Sequence, residues 1–206
     1  MARTMSLVGQ RFVPVIVIDD PGLAPDLASA LLRGGIGCAE ITLRTEAGLR
    51  AIEAASDVHD FTVGAGTVLT AADVDRVVDA GARFVVSPGL ADDVVERALE
   101  LGVDVLPGVA TATEVQRALR FGLDRLKLFP AGPLGGLDLI RALSGPFPGV
   151  RFLPSGGVTP ENAPDYLASP TVFAVSGSWM ATRELIAARD FDEIARLSRA
   201  ATELVP

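Results

Sequence analysis

The hydrophobic pattern of the chain alternates between two periods. Short β-branched apolar runs are each followed by a turn and then by a stretch whose apolar residues recur at helical spacing, and the cycle repeats to the end. Eight such runs stand at residues 13–18, 39–43, 61–68, 84–87, 104–106, 125–129, 151–153 and 172–176, with amphipathic segments between them such as 24–33, 71–79, 92–101 and 113–121. Strand, helix, strand, helix predicts parallel pairing. Eight near-continuous apolar strands with interleaved helices can close into a barrel or lie as an open doubly wound sheet. The count, and the absence of a Gly-x-Gly-x-x-Gly opening, favour an α/β fold of the (β/α)8 TIM-barrel class with parallel strands. Gly34-Gly35, Gly81, Gly102 and Gly122 each precede the next strand, where a left-handed helix C-cap is expected. No linker or shift of composition breaks the rhythm, so residues 1–206 read as a single domain.

Composition narrows the chemistry. At 206 residues with 49% hydrophobic and 21% charged content, the chain can bury a substantial core. A net charge of -8 argues against a nucleic-acid partner, which needs a basic stripe to displace counterions, so any anionic ligand must be held by a local site. With one cysteine, Cys38, and one histidine, His59, no intrachain disulfide and no Cys/His zinc site can form. Metal-free chemistry without a cofactor is expected, a weak carboxylate-held magnesium aside. The apolar run at 13–18 is too short to span a bilayer, which predicts a cytoplasmic protein with no membrane partner.

In a barrel of this kind reactive groups belong at the carboxyl ends of the strands. Lys127 stands out first, because the other seventeen of the eighteen basic residues are arginine. Strand alternation in Leu126-Lys127-Leu128-Phe129 turns the two leucines toward the helices and Lys127 toward the barrel interior. Burial disfavours the ammonium form, which is the condition for a lysine to attack a ketone and form an iminium; arginine stays protonated and cannot. A buried structural lysine paired with a carboxylate is the competing reading.

Residues 39–45 put Glu40, Thr42 and Arg44 on one strand face and Ile41 and Leu43 on the other. A buried glutamate can serve as a general acid/base, and an arginine at a strand end can fork onto a carboxylate; a self-satisfied Glu40–Arg44 or Glu40–Lys127 ion pair is the alternative. In residues 63–68, Gly64 and Gly66 are read as bringing the backbone close to whatever fills the barrel mouth, and Thr67 offers a hydroxyl. The small-residue turns at 154–160 and 176–179 follow the last two strands, where many barrels hold phosphate. Backbone N–H groups of Gly156, Gly157 and Ser178, aided by a helix dipole, could cradle an anion. Thr159-Pro160 also reads as an N-cap and first helical residue.

Taken together, Glu40-Ile41-Thr42-Leu43-Arg44-Thr45, Gly64-Ala65-Gly66-Thr67-Val68, Ser87-Pro88-Gly89, Leu106-Pro107-Gly108, Lys127-Leu128-Phe129-Pro130-Ala131 and Pro154-Ser155-Gly156-Gly157-Val158 closely resemble the 2-keto-3-deoxy-6-phosphogluconate aldolase family, in order and over nearly the full chain. The resemblance implies a homotrimeric barrel, a class I lyase that splits a phosphorylated keto acid to pyruvate and glyceraldehyde 3-phosphate. Within it Lys127 would be the Schiff-base lysine and Glu40 the general acid/base. Arg44 and Thr67 would bind the pyruvate moiety, Gly156, Gly157 and Ser178 the phosphate, with Pro88, Ser155 and Gly177 completing the substrate site. Ser155 departs from the family's usual threonine but keeps the hydroxyl. The first twelve residues match poorly and are expected to form a short N-terminal helix closing the lower end of the barrel. Relatives that take the galactonate stereoisomer or 4-hydroxy-2-oxoglutarate are not separated by these motifs. Two readings of other classes also remain open: an isomerase or epimerase using Glu40 as a base without a covalent step, and a non-catalytic barrel that senses a phosphorylated metabolite.

Overall fold

The structure of the protein, a computed structural model, describes Leu7 and residues 9–205, and its strands run parallel in the predicted order. Strands β1 (Val15–Ile16), β2 (Cys38–Thr42), β3 (Thr62–Gly66), β4 (Phe84–Val86) and β5 (Asp104–Leu106) form one sheet in sequence order; β6 (Gly108–Val109), β7 (Arg125–Leu128) and β8 (Arg151–Pro154) form a second. β5 and β6 are two halves of one barrel strand. Pro107 between them has no N–H to give to the ladder, although its carbonyl still accepts from Lys127 N–H at 3.0 Å.

The eighth predicted run, 172–176, is not a regular strand, yet it closes the ring. Phe173 and Ser176 N–H donate to Phe152 and Pro154 on one side (3.1 and 2.9 Å), and Val175 exchanges bonds of 2.9 Å with Arg11 and Val13 on the other. Its irregularity has a countable cause. Bridges Phe152↔Val172 and Ser155↔Ser176 set one more residue on the eighth segment than on β8, as in a bulge. The fold is a (β/α)8 barrel. The first and third strands are shorter than the runs at 13–18 and 61–68, because the ends of those runs lie in connections that leave the ladder.

Nine α-helices lie among the described residues: α1 (Ala24–Arg33), α2 (Gly48–Ser56), α3 (Ala71–Asp79), α4 (Asp92–Glu100), α5 (Ala112–Arg120), α6 (Gly136–Ser144), α7 (Ala163–Leu167), α8 (Arg183–Ala187) and α9 (Phe191–Thr202). α1 and α3 keep the predicted bounds. α5 begins one residue earlier than the pattern suggests because Thr111 and Glu114 form a reciprocal capping box. Gly35, Gly81, Gly102 and Gly122 adopt φ of +85, +96, +68 and +76°, the left-handed cap expected of them, whereas Gly34 is a C-cap at φ −86°.

Strand alternation sorts the apolar residues into two layers. Ile16, Ile41, Val63, Val85, Leu126, Leu128 and Phe152 pack outward against the helices, while Val13, Cys38, Phe84, Val86, Leu106, Leu153 and Ala174 fill the barrel interior together with Leu7, which is 1% exposed. Of the predicted N-terminal helix, residues 1–6 and residue 8 lie outside the described residues. Higher in the interior the lining turns polar. Six of the seven buried polar or charged side chains among the described residues (Glu40, Thr42, Ser87, Lys127, Ser155 and Ser176) stand on strands or just beyond their carboxyl ends. No described helix is long and apolar enough to cross a membrane, and no described group of three or more His, Cys, Asp or Glu side chains could hold a metal ion.

Candidate active site

Register carries the site. Glu40 is paired with Val15 on one side and Gly64 on the other, and Lys127 with Gly108 and Leu153, so both polar side chains enter the barrel interior. They meet there: Lys127 Nζ lies 3.2 and 3.4 Å from Glu40 Oε1 and Oε2. Lys127 is 4% and Glu40 0% exposed, so water cannot screen the contact. The amine also sits 5.3 Å from the centre of the Phe129 ring. Of the two ion pairs considered from sequence, Glu40–Lys127 forms and Glu40–Arg44 does not. Thr42, between them, donates its hydroxyl to Ile16 O at 2.8 Å and belongs to the barrel wall.

The glycines of β3 do something other than the approach to the mouth expected of them. A Cβ on Gly66 would stand 2.1 Å from Glu40 Oε1, and one on Gly64 would stand 2.3 Å from the Phe84 ring. Both admit neighbouring side chains into the barrel, and Gly66 makes the space in which the carboxylate lies.

Above the pair opens a cavity of about 530 Å³. Arg44, Thr67, Pro88, Ser155, Gly156, Gly157, Gly177 and Ser178, all anticipated from sequence, line it; Lys127 and Glu40 do not, being buried just beyond Phe129, which does. Arg44 stands two residues past the end of β2, is exposed, and has no hydrogen-bond or ion-pair partner among the described residues, which leaves its guanidinium available to a carboxylate. Thr67 holds φ at +59°, a left-handed conformation that costs a β-branched residue about 1–3 kcal/mol and that concentrates at functional sites. Sequence reasoning did not see this strain, nor did it give a role of their own to five further lining residues: Val15, Val17, Phe129, Val158 and Ser176. Two were within reach of the period-2 rule, since Phe129 lies two residues beyond Lys127 and Ser176 two before Ser178.

The turns at the other side of the cavity are built to expose N–H groups. In a trans peptide the N–H points opposite to the preceding C=O. Gly156 O accepts from Gly132 N–H at 2.8 Å and Gly177 O from Val15 N–H at 2.9 Å, so the N–H groups of Gly157 and Ser178 face away from those partners and meet no acceptor among the described residues. Gly156 and Gly157 reach this geometry at φ +84 and +88°, open to glycine. Two expectations fail here. Thr159-Pro160 does not start a helix: α7 begins at Ala163 after Asn162, and Thr159 O accepts from Ala163 N–H at 2.9 Å. The helix dipole expected behind the anion site is also missing, because α7 and α8 have five residues each and begin several residues past the turns. What remains is a nest of backbone donors in an acidic protein. His59 lies far from this chemistry, 93% exposed and paired with Asp60 at 2.9 Å.

An amine and a carboxylate in contact inside a barrel, a free arginine, and a turn of exposed N–H groups suit the chemistry of a keto acid that carries a second anionic group. Comparison with known proteins agrees: residues 5–197 match the family described as KDPG and KHG aldolase. The chain belongs to that family. It is an aldolase, a lyase of carbon–carbon bonds. It is similar to the 2-dehydro-3-deoxy-phosphogluconate aldolase of Treponema pallidum, at 44% identity over 95% of this chain and 93% of the relative. Among solved structures it is similar to the KDPG aldolase of Legionella pneumophila with pyruvate captured as a covalent carbinolamine (38% identity, TM-score 0.90, 93% of this chain and 94% of that one). It is similar as well to the 2-keto-3-deoxy-6-phosphogluconate aldolase of Zymomonas mobilis with 3-phosphoglycerate (42% identity, TM-score 0.86, 93% and 90% covered). For this aldolase the interior pair and the cavity above it are the candidate active site.

Proposed function

We propose that the protein is a cytoplasmic class I aldolase that cleaves 2-keto-3-deoxy-6-phosphogluconate to pyruvate and glyceraldehyde 3-phosphate, with Lys127 and Glu40 as its catalytic residues. The observation that carries this reading is the 3.2 Å contact between the chain's single lysine and a fully buried carboxylate beside the cavity. At that distance the ammonium can hand its proton directly to Glu40, and the free amine adds to the C2 ketone. Glu40 gives that proton to the carbinolamine hydroxyl, which leaves as water, so that an iminium adjacent to C3 forms and Glu40 is a carboxylate again. The Glu40 carboxylate takes the C4 hydroxyl proton, the C3–C4 bond breaks, and its electron pair moves into the iminium to leave an enamine while C4 departs as the aldehyde. Glu40 then returns a proton to C3, and water releases pyruvate and the amine.

The ends of the substrate are held by unlike devices. Arg44 and the Thr67 hydroxyl are assigned to the carboxylate of the pyruvate moiety, and the Gly156-Gly157 and Gly177-Ser178 turns to the phosphate, with Pro88 and Ser155 between; this fixes the ketone against the amine. The bound pyruvate of the Legionella relative and the bound 3-phosphoglycerate of the Zymomonas relative support a keto acid and a phosphate as the two ends of the ligand. Borohydride added with pyruvate is expected to inactivate the enzyme irreversibly and to leave one reduced pyruvyl group on the peptide bearing Lys127. An unmodified chain after that treatment would favour a non-covalent isomerase or a sensor. The homotrimer is carried over from the family, and sedimentation velocity is expected to give three times the mass of the chain.

The family's second substrate class, 4-hydroxy-2-oxoglutarate, carries a carboxylate where the sugar acid carries its phosphate-bearing tail. Steady-state comparison of the two substrates is expected to favour the phosphorylated one, because a phosphate offers the N–H groups of the turns three acceptor oxygens and a charge of about −1.5 to −2, against two oxygens and a single charge for a carboxylate.

A further inference from the structure

We infer that Asn162 is a positioning residue of the phosphate turn: it sets the plane of the Gly157–Val158 peptide and so makes the Val158 N–H a further donor to the anion. Asn162 stands at the N-cap position of α7, but its side chain makes no bond to that helix. It reaches back instead. Its Oδ1 accepts from Thr159 N–H at 2.9 Å and its Nδ2 donates to Gly157 O at 3.0 Å, closing a clasp on both ends of the turn. With a carbonyl on one side and an N–H on the other, only one orientation of the amide satisfies both.

The consequence follows from peptide planarity. Nδ2 pulls the Gly157 carbonyl outward, so the Val158 N–H points the opposite way, and Val158 lines the cavity while its N–H meets no acceptor among the described residues. The peptide before it is fixed in the same manner by Gly132 N–H on Gly156 O at 2.8 Å. Two successive peptides are thus anchored by their carbonyls, one to a backbone donor and one to Asn162. Gly157, at φ +88°, gives the second no steric reason of its own to stay in place. A single partly exposed side chain decides whether the cradle has this donor.

The inference rests on the assignment of the turn to phosphate, so the test separates the two. Wild type, Asn162→Ala and Asn162→Asp are assayed with the phosphorylated keto acid, with the same keto acid lacking its phosphate, and for borohydride trapping of pyruvate. The aspartate variant keeps the acceptor for Thr159 N–H, loses the donor to Gly157 O and adds a negative charge that the alanine variant lacks, so the part of a KM rise shared by both variants is the part the lost donor explains. Both variants are expected to raise KM for the phosphorylated substrate about three- to ten-fold, the worth of one hydrogen bond to the ligand, with kcat, the dephosphorylated substrate and trapping unchanged. Equal losses on both substrates would make Asn162 merely structural and overturn the inference, as would an aspartate variant with wild-type KM. A wild-type enzyme that shows no preference for the phosphorylated substrate overturns the phosphate assignment itself, whatever the variants do.

Discussion

Replacing Lys127 by arginine should abolish turnover and leave the barrel folded. Arginine keeps a positive charge within reach of Glu40, so the variant does not strand a carboxylate that is 0% exposed. Replacement by methionine would strand it, and breaking one side of a buried pair typically costs about 3–5 kcal/mol. The guanidinium is never deprotonated in proteins and has no lone pair to add to a ketone, so the covalent step is lost and not merely slowed. The fall in kcat is expected to be on the order of 10⁴-fold or more, in line with removal of a nucleophile elsewhere. Circular dichroism and thermal melting would confirm that the fold survives, and borohydride with pyruvate should leave the variant unlabelled. An arginine variant with turnover above that level would take the lysine out of the mechanism and leave only the binding of a keto acid to explain the cavity.

Lys127 was legible in the sequence for a physical reason: a lone lysine in a strand of leucines is either expensive or employed, and alternation says which way it faces. The same rule brought Glu40 to the interior, and the lean Gly-rich turns announced a surface of free N–H groups. The limits are equally physical. Pattern gives the direction of a side chain but not what fills the space opposite, so Gly64 and Gly66 looked like room for a ligand when they are room for Phe84 and Glu40. Segment 172–176 has the composition of a strand, and only pairing with β8 exposes its extra residue. Asn162 lies in a run, Pro160-Glu161-Asn162, that suggests helix initiation. Its two bonds run backward to residues whose carbonyl and N–H directions no local rule supplies. Thr67 is similar: it takes a left-handed φ one residue past the end of β3, and threonine is not a residue whose presence suggests one.

Glu40→Gln separates the covalent step from the proton transfers. Glutamine retains the shape of glutamate and an oxygen that can accept from the amine at the position of Oε1, so the interior stays filled and the lysine stays oriented. What it cannot do is take a proton and give it back. Iminium formation with pyruvate should slow, since the amide cannot take the ammonium proton, yet persist to some extent with water as the acceptor, visible as residual borohydride labelling of Lys127, while cleavage slows more because nothing removes the C4 hydroxyl proton as the C3–C4 bond breaks. A loss of about 10²–10⁴-fold in kcat is expected, the usual worth of a positioned acid/base. The exchange of the pyruvate methyl protons with solvent, followed by NMR, should slow in parallel, since the same carboxyl group serves the enamine carbon. A companion change tests the position of the group and not its chemistry. Gly66→Ala introduces a Cβ where Glu40 Oε1 now lies, 2.1 Å away, and must push the carboxylate off the amine. It should reproduce the glutamine phenotype with an intact glutamate. If both variants exchange methyl protons at the wild-type rate, the proton shuttle belongs to another group, and the buried Glu40–Lys127 contact is reduced to holding the amine in place.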